Sequence, residues 1–238
     1  MSSLLTVRED LAPGGLLRVA VNYGNPVLAS RHPVTDEPQG VSVELAREIA
    51  RRIQVPLRLE SFESARRVCE AAAEGAWDIA FLAIDPARAT RIAFTDPYTL
   101  IEGTFLVRAD SPHETIGELD STNVRIAVGH GAAYDLFLSR SLTRATLVRA
   151  STSDGAIDLF ANSGLDAAAG VRQVLESYAA RHAGFRVIPG RFMEIAQAIA
   201  IPRERQRALE HLQSFVRDAG VRELVSRSLA DGAARLMR

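Results

Sequence analysis

The sequence contains no lysine, so all 28 basic residues in the 238-residue chain are arginine. This absence excludes every mechanism that needs an ε-amine, such as a phosphate-loop lysine, a Schiff base or a lysine general base. The formal net charge is −1, and nucleic-acid binding usually needs a strongly basic balance. We therefore expect a small-molecule ligand and no nucleic-acid partner.

Cysteine is also scarce, because Cys69 is the single one in the chain. One cysteine excludes an intramolecular disulfide and a cysteine-based zinc site. Its neighbours Ala65, Val68 and Ala72 share its predicted helical face, which indicates a packed thiol and not a nucleophile. The five histidines are scattered without metal-type spacing, so we predict no metal site and no cofactor.

Long apolar segments are missing as well. Nowhere do 18 apolar residues run together, and the N-terminal MSSLLTVREDLAPGG lacks the apolar run of a signal peptide. This leaves a cytoplasmic location open, unless a signal was removed before residue 1. At 47% hydrophobic and 24% charged, the chain has the composition of a globular protein, either one large domain or two modest lobes.

Strand-like and helix-like segments alternate along the chain, which predicts an α/β protein with mainly parallel sheets. The first series has strands over 16–21, 57–62 and 78–83, with helices over 43–53 and 64–74. Asp85 and Pro86 then form a helix-start pattern. A second series begins after residue 100, with strands over 124–128, 145–150, 165–170 and 185–190. Residues 203–230 are helical, and the restart indicates two similar lobes.

Two stretches carry a family resemblance. Both GVSVELAREIARRIQVPLRLESF (40–62) and GAWDIAFLAIDPARATRIAFTDPY (75–98) resemble the type 2 periplasmic solute-binding proteins, the amino-acid-binding group of ABC transporter receptors. The second is the more specific, because Gly-x-x-Asp precedes a strand and an arginine precedes Phe-Thr-x-Pro-Tyr. VRIAVGHGAAYDLFL (124–138) and GLDAAAGV (164–171) match more loosely.

The resemblance implies a two-lobed clamshell with the periplasmic binding protein type 2 fold, each lobe a mainly parallel sheet flanked by helices. Lobe 1 would comprise 1–100 plus 201–238, and lobe 2 would comprise 101–200. The ligand would lie in a cleft between them, at the carboxyl ends of the strands. The family further implies a periplasmic monomer that serves an ABC transporter permease.

The resemblance assigns the ligand carboxylate to Arg88, whose guanidinium offers two parallel donors to a planar anion. The alternative is a solvated arginine at a helix start. Gly131, Ala132 and Ala133 open a helix after a strand, so their backbone N–H groups would be unpaired and could hold the same carboxylate. The alternative there is a plain β-to-α turn.

Departures from the family pattern indicate the kind of ligand. Amino-acid receptors usually carry an acid about five residues after the aspartate that corresponds to Asp166, but here Val171 and then Arg172 follow. Receptors for basic amino acids carry another acid where this chain has Asn22. An unpaired ammonium in a closed site would be costly, so we expect a small carboxylate, including dicarboxylates. Arg172 is either a second anion-binding group or an outward-facing helix arginine.

The loop after strand 78–83 is about two residues shorter than in the family and offers no hydroxyl side chain. Polar contacts to the ligand are therefore expected from the backbone of Ala83 and from the side chains of Asn22, Tyr23 and Asn25. These residues complete the set of candidate ligand-binding positions, and no catalytic residue is predicted.

Three functions fit this pattern. The first is a non-enzymatic protein that closes on a small carboxylate for uptake or sensing. The second is an enzyme that resembles cyclohexadienyl dehydratase on the same scaffold; its proton donor would have to be Glu176, which lies in the helix beyond the strand end. The third is a scavenger or sensor domain without a transporter.

Overall fold

A computed structural model describes residues 4–236. Its strands, in chain order, are β1 (Leu17–Asn22), β2 (Ser30–Arg31), β3 (Pro38–Gln39), β4 (Leu57–Phe62), β5 (Ile79–Ala83), β6 (Ile92–Phe94), β7 (Thr99–Arg108), β8 (Arg125–Gly129), β9 (Thr146–Ala150), β10 (Ala167–Val171), β11 (Phe185–Val187) and β12 (Met193–Pro202). Its helices are α1 (Leu4–Leu11), α2 (Val41–Ile53), α3 (Ala65–Ala73), α4 (Ala133–Ser141), α5 (Ser153–Asn162), α6 (Arg172–Arg181), α7 (Gln206–Arg217) and α8 (Ala219–Leu236).

The described chain divides into two compact units. Unit 1 contains the residues up to Thr99 together with Ala196–Arg235, and unit 2 contains Leu100–Ile195. Strands β7 and β12 run through the two boundaries, so the chain leaves and re-enters unit 1 within continuous strands. Residues 1–3, 237 and 238, which the sequence analysis assigns to lobe 1, lie outside the described residues.

Unit 1 has the strand order β4-β1-β5-β12, with β6 paired to β12. Strand β1 is parallel to both β4 and β5, and β12 is antiparallel to β5. Consequently β1 and β5 end at the same edge of the sheet, at Asn22 and Ala83.

Unit 2 has the strand order β7-β10-β8-β9, with β11 paired to β7. Strands β10, β8 and β9 are parallel, and β7 is antiparallel to β10. Gly129 at the end of β8 and Val171 at the end of β10 therefore share one sheet edge. The predicted α/β class with mainly parallel sheets is confirmed.

An aspartate before a strand has the same structural role in each unit. Asp78 precedes β5, and its carboxylate accepts the backbone N–H of Arg18 at 2.9 Å on the neighbouring β1. Asp166 precedes β10, and it accepts the backbone N–H of Arg125 at 2.7 Å on the neighbouring β8. Each carboxylate satisfies a donor where a parallel strand begins, so Asp78 and Asp166 both have a structural role.

One core cluster of unit 1 lies between its sheet and α3, and α2 buries a second face. Trp77 is fully buried, and its indole N–H donates to the Val68 carbonyl at 2.9 Å, which satisfies its only polar group. Ser64 caps α3 by accepting the Arg67 N–H. Cys69 packs beside this cluster, in agreement with the prediction of a packed thiol.

Several elements differ from the sequence prediction. The ten-residue strands β7 and β12 and the helix α1 were not predicted. Asp85 does accept the Ala87 N–H at 2.8 Å, but only a 3-10 turn over Arg88–Thr90 follows. Asp85 therefore holds the turn before this segment, but the segment begins after Ala87 and the predicted full helix does not form.

Replacing Gly40 with alanine should destabilise unit 1 strongly. Gly40 has φ +111°, and a Cβ there would lie 2.5 Å from the Leu28 carbonyl oxygen. We expect a loss of more than about 2 kcal/mol in unfolding free energy, from left-handed strain and overlap together. Gly75→Ala is the matched control, because Gly75 has φ +63° and nothing within 4 Å of a Cβ.

Urea denaturation of the two variants separates the cost of the left-handed backbone from the cost of the overlap with Leu28. Gly75→Ala should lose only about 1 kcal/mol, which is the cost of the left-handed backbone. Equal losses in both variants would contradict the close approach of Leu28 to Gly40.

Candidate functional site

Polar residues follow the carboxyl ends of β1 and β5 in unit 1, where sheets of this kind bind ligands. Asn22 is the last residue of β1, and Tyr23 and Asn25 follow it. Ala83 is the last residue of β5, and Arg88 comes five residues later. The structure thus gathers the unit 1 candidates at one edge.

Arg88 is buried, with a relative exposure of 6%. Its Nη1 donates to the Ala83 carbonyl oxygen at 2.9 Å. Burial lowers the pKa of the guanidinium, and the nearby Cys69 and Asp85 act in the opposite direction. The alternative of a solvated helix-start arginine is therefore wrong. The Ala83 carbonyl, expected to contact the ligand, holds Arg88 in place.

The three residues after β1 have different surroundings. Asn22 Oδ1 accepts the Gly24 N–H at 3.0 Å, which shapes the turn that leaves the strand. The Tyr23 hydroxyl accepts a hydrogen bond from Ser61 Oγ at 3.1 Å. Asn25 is 8% exposed, and its buried Oδ1 has no hydrogen-bond partner among the described residues. A buried amide oxygen without a donor is unusual, so Asn25 can accept a hydrogen bond from a solute.

The turn before α4 in unit 2 differs from the sequence prediction. Gly131 has φ +72°, and its N–H donates to Asp135 Oδ2 at 2.8 Å. The Ala132 N–H donates to the Gly129 carbonyl at 3.0 Å. The expectation that Gly131 and Ala132 leave their amides unpaired was therefore wrong, because a residue of the following helix turns back to accept one of them. Ala133 is the first residue of α4.

Asp135 was missed by the sequence analysis. It is 2% exposed, and besides the Gly131 amide it accepts Arg149 Nε at 3.0 Å and Ser139 Oγ at 3.3 Å. The residue occupies the place at the helix start that was expected to attract a ligand anion. The sequence signal was an acid in the first turn of the helix, where negative charge is favourable.

Arg172 lies at the end of β10 within a group of acids. Its Nε donates to Glu102 Oε2 at 2.5 Å, its Nη1 to Glu176 Oε1 at 3.4 Å, and its Nη2 to the Gly190 carbonyl. The hydrogen bond from Arg172 lowers the pKa of Glu102. Neither sequence alternative describes this arrangement, because Arg172 is neither an open anion-binding group nor a helix arginine that faces only solvent.

Glu102 is a second residue that the sequence analysis did not place at this edge. It lies on β7 and also accepts Arg191 Nη1 at 3.1 Å, so it bridges two arginines. Glu176, the residue considered as a proton donor, contacts Arg172 and is about half exposed. Residues 4–236 contain no group of three or more His, Cys, Asp and Glu side chains arranged to hold a metal ion.

These features define a class of protein: an α/β fold in two units, with polar side chains gathered where parallel strands end and a buried arginine among them. The model of the bacterial extracellular solute-binding proteins, family 3, matches residues 17–221. The chain belongs to this family. No curated protein sequence shows a significant match. No helix within residues 4–236 has the length and apolar character needed to cross a membrane.

Solved structures share the fold over nearly the whole chain. Arginine-binding protein ArgBP from T. maritima in its holo form is 22% identical, with a TM-score of 0.77 over 92% of this chain and 98% of that one. The amino acid ABC transporter substrate-binding protein AbpA from Streptococcus pneumoniae, bound to L-arginine, is 17% identical, with a TM-score of 0.83 over 97% and 99%.

A third neighbour has a link to catalysis. The ancestral amino-acid-binding protein AncCDT-1, a precursor of cyclohexadienyl dehydratase, is 20% identical, with a TM-score of 0.77 over 94% of this chain and 99% of that one. At this level of identity the three neighbours establish the type 2 periplasmic binding protein fold and not a ligand.

Asp135→Ala should destabilise the protein by about 1–3 kcal/mol, because it leaves the Gly131 amide and the Arg149 guanidinium without this acceptor. Asp158→Ala on the exposed face of α5 is the control and should change stability by less than about 0.5 kcal/mol. Urea denaturation measures both. Equal stability of the two variants would mean that Asp135 does not hold the turn.

Proposed function

We propose that this protein is the solute-binding component of an ABC-type uptake system and that it works outside the cytoplasmic membrane as a monomer. Membership of the extracellular solute-binding family supports the binding role. Two of the neighbouring structures are described as components of amino acid ABC transporters, which supports the transporter partner.

The proposed solute is a small molecule with a carboxylate, and dicarboxylates are preferred to standard α-amino acids. The observation that carries this proposal is the buried guanidinium of Arg88 beside the end of β5. A buried guanidinium has lost much of its hydration and has five N–H donors, so a carboxylate is its natural partner. The buried Asn25 Oδ1 would accept a hydrogen bond only from a solute that also carries a hydroxyl or N–H group.

The absence of acids at two positions supports the same solute class. Val171 and Asn22 occupy places where the family would supply carboxylates, and neither can pair with an ammonium. Arg172 no longer supports a second anion contact, since Glu102 and Glu176 neutralise it. Within the proposal, Arg88 is therefore the main anion-binding group.

An enzymatic role like that of cyclohexadienyl dehydratase is the second candidate, favoured by the similarity to AncCDT-1. Such an elimination needs a protonated acid within hydrogen-bond reach of the leaving hydroxyl. Glu176 donates nothing in this structure and instead accepts from Arg172, which favours binding over catalysis. Release of product from prephenate or arogenate, followed by absorbance, distinguishes the two roles.

Thermal unfolding in the presence of a panel of solutes tests the solute class. A ligand at 100 times its dissociation constant adds about 2.7 kcal/mol to stability, which raises the melting temperature by a few degrees. We expect dicarboxylates from malonate to adipate to include a stabilising member, and glutamine and leucine to stabilise less. Stabilisation by amino acids alone would contradict the dicarboxylate preference and would direct attention to Glu102.

Replacing Arg88 with alanine should weaken binding of the best dicarboxylate by about 30-fold to several thousand-fold, as expected when a desolvated charge pair loses one partner. Arg88→Lys keeps the charge but loses the planar donor pair, so it should recover only part of the affinity. Calorimetry is the measurement, with Arg91→Ala as the control, because Arg91 is exposed one turn away. A loss below about threefold in Arg88→Ala would exclude Arg88 from the site.

A further inference from the structure

The ring of Tyr23 is held in a defined position at the end of β1. The backbone N–H of Tyr23 donates to the Phe62 carbonyl at 2.9 Å, and the Tyr23 hydroxyl accepts a hydrogen bond from Ser61 Oγ at 3.1 Å. Both contacts come from the end of the neighbouring strand β4. The orientation of the ring is therefore set by the sheet.

A guanidinium of the chain itself covers one face of that ring. The Cζ atom of Arg31, on the short strand β2, lies 4.4 Å from the centroid of the Tyr23 ring. This distance is well within the range of a cation–π contact, for which arginine is a common donor. Arg31 thus occupies the ring face that would otherwise attract a cationic solute.

Two carboxylates hold Arg31 over the ring. Asp36 accepts Nη1 at 3.3 Å from the turn between β2 and β3, and Glu63 accepts Nη2 at 3.2 Å from the loop before α3. The turn is shaped by His32, whose Nδ1 accepts the N–H groups of Val34 and Thr35. Three separate segments therefore converge on one guanidinium.

The charges show what Arg31 prevents. With Arg31 in place, the group of Arg31, Asp36 and Glu63 sums to −1; without it, the two carboxylates sum to −2. A cationic solute that approaches the ring meets a like charge and finds both carboxylates already paired. Removing Arg31 would expose an aromatic face next to two unneutralised acids, which is an environment that attracts cations.

We propose that Arg31 is a selectivity residue that excludes guanidinium-bearing and ammonium-bearing groups from the face of Tyr23. This inference rests on the proposed function, because it assumes that Tyr23 faces the solute. It adds a cause for the preferred solute class: the acid-poor positions fail to attract a cation, and Arg31 covers a face of Tyr23 that would attract one.

The test compares L-arginine with L-citrulline, its uncharged isostere, on wild type and Arg31→Ala by calorimetry. We expect the ratio of arginine to citrulline affinity to rise at least fivefold in Arg31→Ala. Arg58→Ala is the matched control, because it removes an exposed arginine paired with Glu60 on β4 and does not uncover Tyr23. Its ratio should stay within twofold of wild type.

Several outcomes would overturn the proposal. The first two are an arginine-to-citrulline affinity ratio that does not change in Arg31→Ala, and a ratio that rises equally in Arg58→Ala. The other two are a wild type whose ratio is already as high as that of Arg31→Ala, and a folded Arg31→Ala that binds neither solute. Arg31→Gln replaces Arg31→Ala if circular dichroism shows that the alanine variant is unfolded. If no carboxylate stabilises the wild type but the ratio still rises, the proposed solute class fails and the role of Arg31 stands.

Discussion

The carboxylate of Asp78 connects three distant segments of unit 1. It accepts the backbone N–H and the guanidinium of Arg18 at the start of β1, and it accepts Arg205 before α7 at 3.2 Å. Asp78 is 2% exposed, and the loss of either partner would leave a poorly compensated buried carboxylate. This contact ties the start of β5 to β1, and the two parallel strands end at one edge, at Asn22 and Ala83.

Charge pairing of this kind also limits what the candidate site can offer. In unit 2, Asp135 and Glu102 occupy groups that the sequence alone suggests are available to a ligand, namely the Gly131 amide and the Arg172 guanidinium. In unit 1, Arg31 takes the face of Tyr23. A solute at these positions would therefore have to compete with an internal partner.

Residues next to strand ends could be predicted well, but their partners could not. The alternation of strands and helices located Asn22 and Ala83, because the carboxyl ends of parallel strands share an edge. The same pattern could not reveal that Arg172 meets Glu102, which lies 70 residues earlier on an antiparallel strand. Strand β7 itself was not predicted, so the sequence pattern could not place Glu102 next to the end of β10.

The sequence by itself determined the α/β class, the family and the positions of the candidate side chains, because periodicity and motif spacing are local properties of the chain. The tertiary structure decided which of those side chains already have partners. Arg88 is buried against the Ala83 carbonyl, and Asp135 turns back to Gly131. Burial and pairing depend on side-chain direction and on contacts between distant segments, and neither is encoded in local spacing.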